Sequence, residues 1–183
     1  MGLLNLFEKY IVRLEKRKVK KFDWNAIIPN APNFKYKEFI FSPIAIRYRI
    51  DNTPPKKVIH NIEELAVNIL QPVRNKFGPI RITSGYRCEE LNRLIKGSIK
   101  SYHLFGYAAD FIPLKDDVKL IDIIEYIHTE LQYTELIAEW FPDGWIHAAY
   151  KKGKYTKDIK LRDKTHFYTK VTLNDLKALY PFK

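Results

Sequence analysis

The stretch Ser101-Tyr102-His103-Leu104-Phe105-Gly106-Tyr107-Ala108-Ala109-Asp110, answered far downstream by Trp145-Ile146-His147, decides how this chain is read. It supplies two imidazoles and one carboxylate, each at the edge of a strand-like segment. Catalytic zinc uses three such protein ligands and keeps a fourth position for water. His103, Asp110 and His147 are therefore the candidate ligands of Zn2+, and the reading points to a zinc hydrolase. One histidine beside aromatic residues, or one aspartate at a strand end, is ordinarily a packing or capping residue, so the combination carries the signal. His60 and His166 lack a comparable acidic, small-residue setting, and His128 falls late in a helix, where a cation suits the dipole; all three are left out.

Working outward, Tyr107 to Ile112 reads as a small-residue strand and Pro79 to Thr83 as a short alternating one. Thr134 to Trp140 and Trp145 to Tyr150 read as two strands joined by Phe141-Pro142-Asp143-Gly144, a sequence suited to a type I turn followed by a left-handed glycine. A three-residue loop over 142–144 places Phe141 opposite Trp145, Trp140 opposite Ile146, and Glu139 opposite His147 on one sheet face. Glu139 is then the predicted general acid/base, able to take a proton from the attacking water and return it to a leaving amine. Asp143 is the alternative, although a turn residue before glycine has a structural reason to be aspartate.

Helices alternate with these strands. Asn61 followed by Glu64 predicts a capped helix ending near Gly78, with Ile62, Leu65, Ala66, Ile69, Leu70 and Val73 inward and a kink or split at Pro72. Glu89 to Ile95 reads as helical, and Asp116 or Asp117 to Leu131 as a further helix with Val118, Ile121, Ile124 and Ile127 inward. With no glycine-rich phosphate loop, the pattern predicts an α+β fold in which a small mixed or antiparallel sheet is flanked by helices.

The chain has 183 residues, 46% of them apolar, enough for one ordinary core. The single cysteine, Cys88, excludes an internal disulfide framework, so any metal must be held by histidine and carboxylate. A formal charge of +11 and a pI near 9.6 favour acidic polymers as neighbours: nucleic acid, an anionic lipid surface or bacterial wall. Basic runs lie at 16–21 and 151–154. Leu3, Phe7, Tyr10, Ile11 and Leu14 predict an amphipathic cationic helix over 3–20, and Asn25 to Asn33 reads as a linker. The expected organisation is thus an N-terminal basic helix and linker over 1–33 and a catalytic domain over 34–183. No apolar run approaches the roughly 20 residues of a membrane span, and the N-terminus lacks the pattern of a secretory signal.

Ser84-Gly85-Tyr86-Arg87, Asn92, Gly97, Ser101-x-His103-x-x-Gly106-x-Ala108-x-Asp110 and Trp145-x-His147 together resemble the signature of zinc D-alanyl-D-alanine carboxypeptidases and related peptidoglycan peptidases, phage endolysins included. The resemblance covers roughly residues 34–150 and implies the fold shared with the hedgehog signalling domain. It implies His103, Asp110 and His147 as zinc ligands, and Arg87 as the group that binds a substrate carboxylate or carbonyl, a task suited to a guanidinium's forked donors. Ser101 matches a serine that contacts substrate or orders the site. Many relatives carry their catalytic carboxylate three residues before the last histidine, where this chain has Gly144. The expected function is a zinc-dependent peptidase cleaving peptidoglycan stem or cross-link peptides, of carboxypeptidase or endolysin type and phage-related. It would act on the bacterial wall from the host cytoplasm or the virion, with anionic wall polymers as further partners. A non-catalytic wall-binding or virion structural domain is the alternative. A nucleic-acid partner is not expected, because it gives no reason for the His, Asp, His set.

Overall fold

The computed structural model describes residues 22–163 and 167–180, so the helix expected over 3–20 and His166 lie outside the described residues. The described chain opens on a hairpin, β1 (Ile27–Ile28) and β2 (Ala31–Lys35), followed by α1 (Tyr36–Ile40) and α2 (Pro43–Tyr48). Ile28, Ala31 and Phe34 are fully buried, so the hairpin is anchored on the core where an open linker over 25–33 was expected. The two prolines misled that reading. Both Pro29 and Pro32 face solvent, where their missing N–H groups cost the hairpin little.

A long helix follows, α3 (Lys56–Leu65), continuing through a π-helical turn (Ala66–Leu70) into α4 (Gln71–Phe77). Its buried face, Ile62, Leu65, Ala66, Ile69, Leu70 and Val73, is the expected one, extended back to Val58. The helix starts five residues before Asn61, which is not its cap: Asn61 Nδ2 instead donates to the Phe105 carbonyl (2.9 Å). The π turn ends two residues before Pro72, whose ring nitrogen has no hydrogen to give, so the break expected there takes the form of a π-helical irregularity in a continuous helix.

Next come β3 (Ile80–Ser84), α5 (Glu89–Leu94), a 3-10 turn (Tyr102–Phe105), β4 (Ala108–Pro113), α6 (Leu120–Glu130), β5 (Glu135–Glu139) and β6 (Trp145–Ala149). The described chain ends with β7 (Ile159–Arg162), β8 (Tyr168–Val171) and α7 (Leu173–Ala178). Six strands form one sheet in the order β3-β4-β6-β5-β7-β8, antiparallel except for the parallel pair β5 and β7. This is the α+β, helix-flanked mixed sheet that the alternation predicted.

The strands alternate sharply. Ala109 and Phe111 on β4, Leu136 and Ala138 on β5, and Ile146 and Ala148 on β6 join the core with Ile121, Ile124 and Ile127 of α6 and the long helix. The intervening residues, Asp110, Glu135, Glu139, Trp145 and His147, face the other way and line a cleft. Phe111, fully buried beside Asp110, holds β4 against the helices. Phe111→Ala is expected to lower stability by about 3–5 kcal/mol, read as a reduced midpoint in urea unfolding.

Candidate metal centre

His103, Asp110 and His147 arrive from three different backbone settings. Ser101 caps the 3-10 turn, its Oγ accepting from His103 N–H (3.3 Å), and so fixes the backbone from which the His103 ring enters the cleft. Asp110 and His147 stand directly opposite each other on β4 and β6, which places both side chains on one sheet face. All three are buried, at 2%, 7% and 6% exposure.

The ring nitrogens have defined roles. His103 Nδ1 lies 2.6 Å from the Gly85 carbonyl, which can only accept, so Nδ1 carries the hydrogen and the Nε2 lone pair points inward. That approach depends on Gly85: a Cβ there would overlap the Phe39 backbone, against which the loop is packed. His103 Nε2 is 3.2 Å from both Asp110 Oδ1 and His147 Nδ1, and His147 Nδ1 is 2.8 Å from Asp110 Oδ1. Ligand atoms about 2.0–2.1 Å from a tetrahedral zinc lie roughly 3.3 Å apart. Two imidazole nitrogens and a carboxylate oxygen at these separations fit a divalent cation, and the three residues form a group able to hold one.

The electrostatics agree. Burial alone would raise the Asp110 carboxyl, but His103 and His147 together hold it well below the usual range. Burial lowers His103 despite Asp110. Burial would lower His147 too, yet Asp110 on one side and Glu135 on the other push it up to about 9. The centre is built to attract positive charge.

Arg87 lines the cleft with Nε donating to Ser84 Oγ (2.9 Å) and Nη2 to Asp110 Oδ2 (2.8 Å), leaving Nη1 outside these two bonds. Ser101 also lines the cleft. The cleft encloses about 690 Å³.

The hairpin register differs from the expected one. Glu139 stands opposite Trp145, and Ile137 stands opposite His147. The connection is five residues, Trp140 to Gly144, because Trp140 leaves the ladder with φ 55°, a left-handed conformation expected instead at Gly144. Trp140 N–H donates across to the Arg162 carbonyl on β7 (2.7 Å), so it is held by the neighbouring strand on the other side. The Phe141-Pro142 bond within the turn is cis. A shift of two residues leaves face unchanged, so Glu139 still lines the cleft. Asp143 is exposed in the turn and is not among the cleft-lining residues.

Gly144 explains the missing carboxylate three residues before His147. A Cβ there would overlap the Glu139 carbonyl oxygen, so the hairpin admits no side chain at that position. Glu139 is buried, and Arg162 Nη1 donates to its Oε2 (3.0 Å).

Three cleft residues were missed in the sequence. Glu135 Oε2 lies 3.3 Å from His147 Nε2, close but too poorly aligned for a hydrogen bond. Lys160 Nζ donates to Glu135 Oε1 (2.7 Å), and Arg162 holds Glu139. The period-two pattern Ile159-Lys160-Leu161-Arg162 was a strand signal that could have placed both cations on one face.

Residues 32–148 match the family model for Peptidase M15. The chain belongs to this family, that of the zinc D-alanyl-D-alanine carboxypeptidases. No curated protein matches the chain. In this M15 peptidase the match ends one residue after His147 and leaves β7 and β8 outside it.

Bound metal needs His147 Nδ1 deprotonated, and in the metal-free protein that ring keeps its proton up to about pH 9. Metal uptake at neutral pH is therefore expected to release about one proton from this ring. Apparent affinity should rise about tenfold per pH unit from neutrality and level off near pH 9, read by calorimetry in buffers of different ionisation enthalpy.

Proposed function

We propose that this M15 metallopeptidase is a zinc enzyme that hydrolyses the stem or cross-link peptides of peptidoglycan. The convergence of His103 Nε2, Asp110 Oδ1 and His147 Nδ1 beside a buried, cleft-facing glutamate carries the reading. Zinc held by these three atoms would polarise the scissile carbonyl and make water a nucleophile near neutral pH. Glu139 takes the proton of the attacking water and delivers it to the departing amine nitrogen, so the peptide C–N bond breaks as the new C–O bond forms. Arg162 keeps the Glu139 carboxylate in place from β7. Arg87 orients the peptide, with Nη1 turned to a substrate carboxylate or carbonyl while its other nitrogens stay tied to Ser84 and Asp110. Ser101 acts by ordering the His103 turn.

Within this reading the protein is a phage-associated lytic enzyme of carboxypeptidase or endolysin type acting at the bacterial wall. Its formal charge of +11 supports residence on an anionic wall polymer. Among the described residues no helix is long and apolar enough to cross a membrane.

Digestion of purified peptidoglycan, with products identified by mass, tests the assignment. Glu139→Gln is expected to lower peptide release by about 10²–10⁴-fold while zinc content stays unchanged, and Asp143→Ala to leave release intact. Stoichiometric zinc and wall binding without release by the native protein would support the binding-domain alternative instead.

A further inference from the structure

The strand β7 lies beyond the segment that matches the family, yet it forms one wall of the cleft. Its Lys160 pairs with Ile137 in parallel register, and Ile137 is itself opposite His147, so one row crosses β4, β6, β5 and β7 at the depth of Asp110 and His147. On that face a continuous polar chain runs Asp110 Oδ1, His147 Nδ1, His147 Nε2, Glu135 Oε2, Glu135 Oε1, Lys160 Nζ. Its separations are 2.8 Å, 3.3 Å and 2.7 Å.

We propose that Glu135, tethered by Lys160, is a positioning residue that locks the His147 ring with Nε2–H toward β5, so that Nδ1 is the nitrogen facing Asp110 and His103 and the one that gives up its hydrogen when metal binds. The inference rests on the metal-centre reading above.

An imidazole can flip about its Cβ–Cγ bond, exchanging the faces its nitrogens present, and can shift its hydrogen between them. Both motions remove a ligand atom. A carboxylate on the far nitrogen disfavours both, because only an N–H there is attracted to it. Glu135 and Asp110 approach different ring nitrogens, so Glu135 acts on the ring and does not compete for the position that Nδ1 faces. Glu135 is itself flexible, with three side-chain torsions. Lys160 removes that freedom through the oxygen that His147 does not use, at the shortest separation in the chain. His103 needs no such device, since the Gly85 carbonyl fixes its tautomer.

The zinc dissociation constant of the full chain, measured by competition with a chromophoric chelator, tests this without any peptide substrate. Glu135→Leu is expected to weaken zinc binding about 10–100-fold while the metal-free protein unfolds at nearly the native temperature. Lys160→Met should give a smaller loss that Lys160→Arg restores. The double variant Glu135→Leu/Lys160→Met should bind like Glu135→Leu alone, because Lys160 acts only through Glu135. A Glu135→Leu affinity within about twofold of native, or losses that simply add in the double variant, would overturn the lock. Should Glu135→Leu fail to fold, an unchanged affinity in Lys160→Met overturns it equally. Absence of zinc binding by the native chain would overturn the metal centre itself, a different failure from tight binding that Glu135→Leu leaves untouched.

Discussion

The pairing of β4 with β6 sets Asp110 directly across from His147, and the centre depends on that one register. Side chains alternate between faces along each strand, so a one-residue slip of β6 against β4 would bring Ile146 into the cleft and send His147 into the helix-packed core while Asp110 stayed behind. Neither consequence is tolerable: the core would gain an imidazole cut off from its carboxylate partners, and the cleft would expose an apolar side chain. The same alternation that buries Phe111, Ala138 and Ile146 against α6 therefore positions the polar set. Packing and chemistry are two faces of one sheet.

The helical side contributes less directly but as necessarily. The long helix α3 lies against β4 and contacts the turn that carries His103, through Asn61 and the Phe105 carbonyl. The Gly85 loop rests on α1, with Tyr86 N–H donating to the Phe39 carbonyl (2.6 Å), and Gly85 in turn holds the His103 ring. Small residues stand where backbones approach. A methyl group at Gly85 would push the loop off Phe39 and carry His103 with it. This explains why Gly85 is needed in a loop that supplies no candidate ligand side chain.

Much of this was legible in the sequence because the signals are local. His103, Asp110 and His147 stand out by residue type at strand edges, and the structure brings them together; the α+β class follows from alternating periods. The hairpin was read on the right face with the wrong partner: Glu139 lies opposite Trp145 because Trp140 is pulled toward β7, a contact from another strand that no local rule contains. The linker reading over 25–33 failed for a related reason. Pro29 and Pro32 suggested an open segment, but burial of Ile28, Ala31 and Phe34 is decided by distant elements. Glu135 went unremarked because nothing in its own neighbourhood distinguishes it from a surface glutamate; its role appears only where β5, β6 and β7 meet.

The cleft's charge follows from how its carboxylates are matched. Asp110, Glu135 and Glu139 are each paired with a cation, Arg87, Lys160 and Arg162 respectively, so no buried carboxylate is left uncompensated. Lys96 and Lys100 line the same cleft in addition, and a divalent metal adds further positive charge. Five cationic side chains thus face three carboxylates around the site. That excess would favour a peptide bearing its own carboxylates over a basic one. Two of the five, Lys160 and Arg162, come from β7, so the strand outside the family match both fixes the β5 carboxylates and sets the sign of the field that a substrate meets.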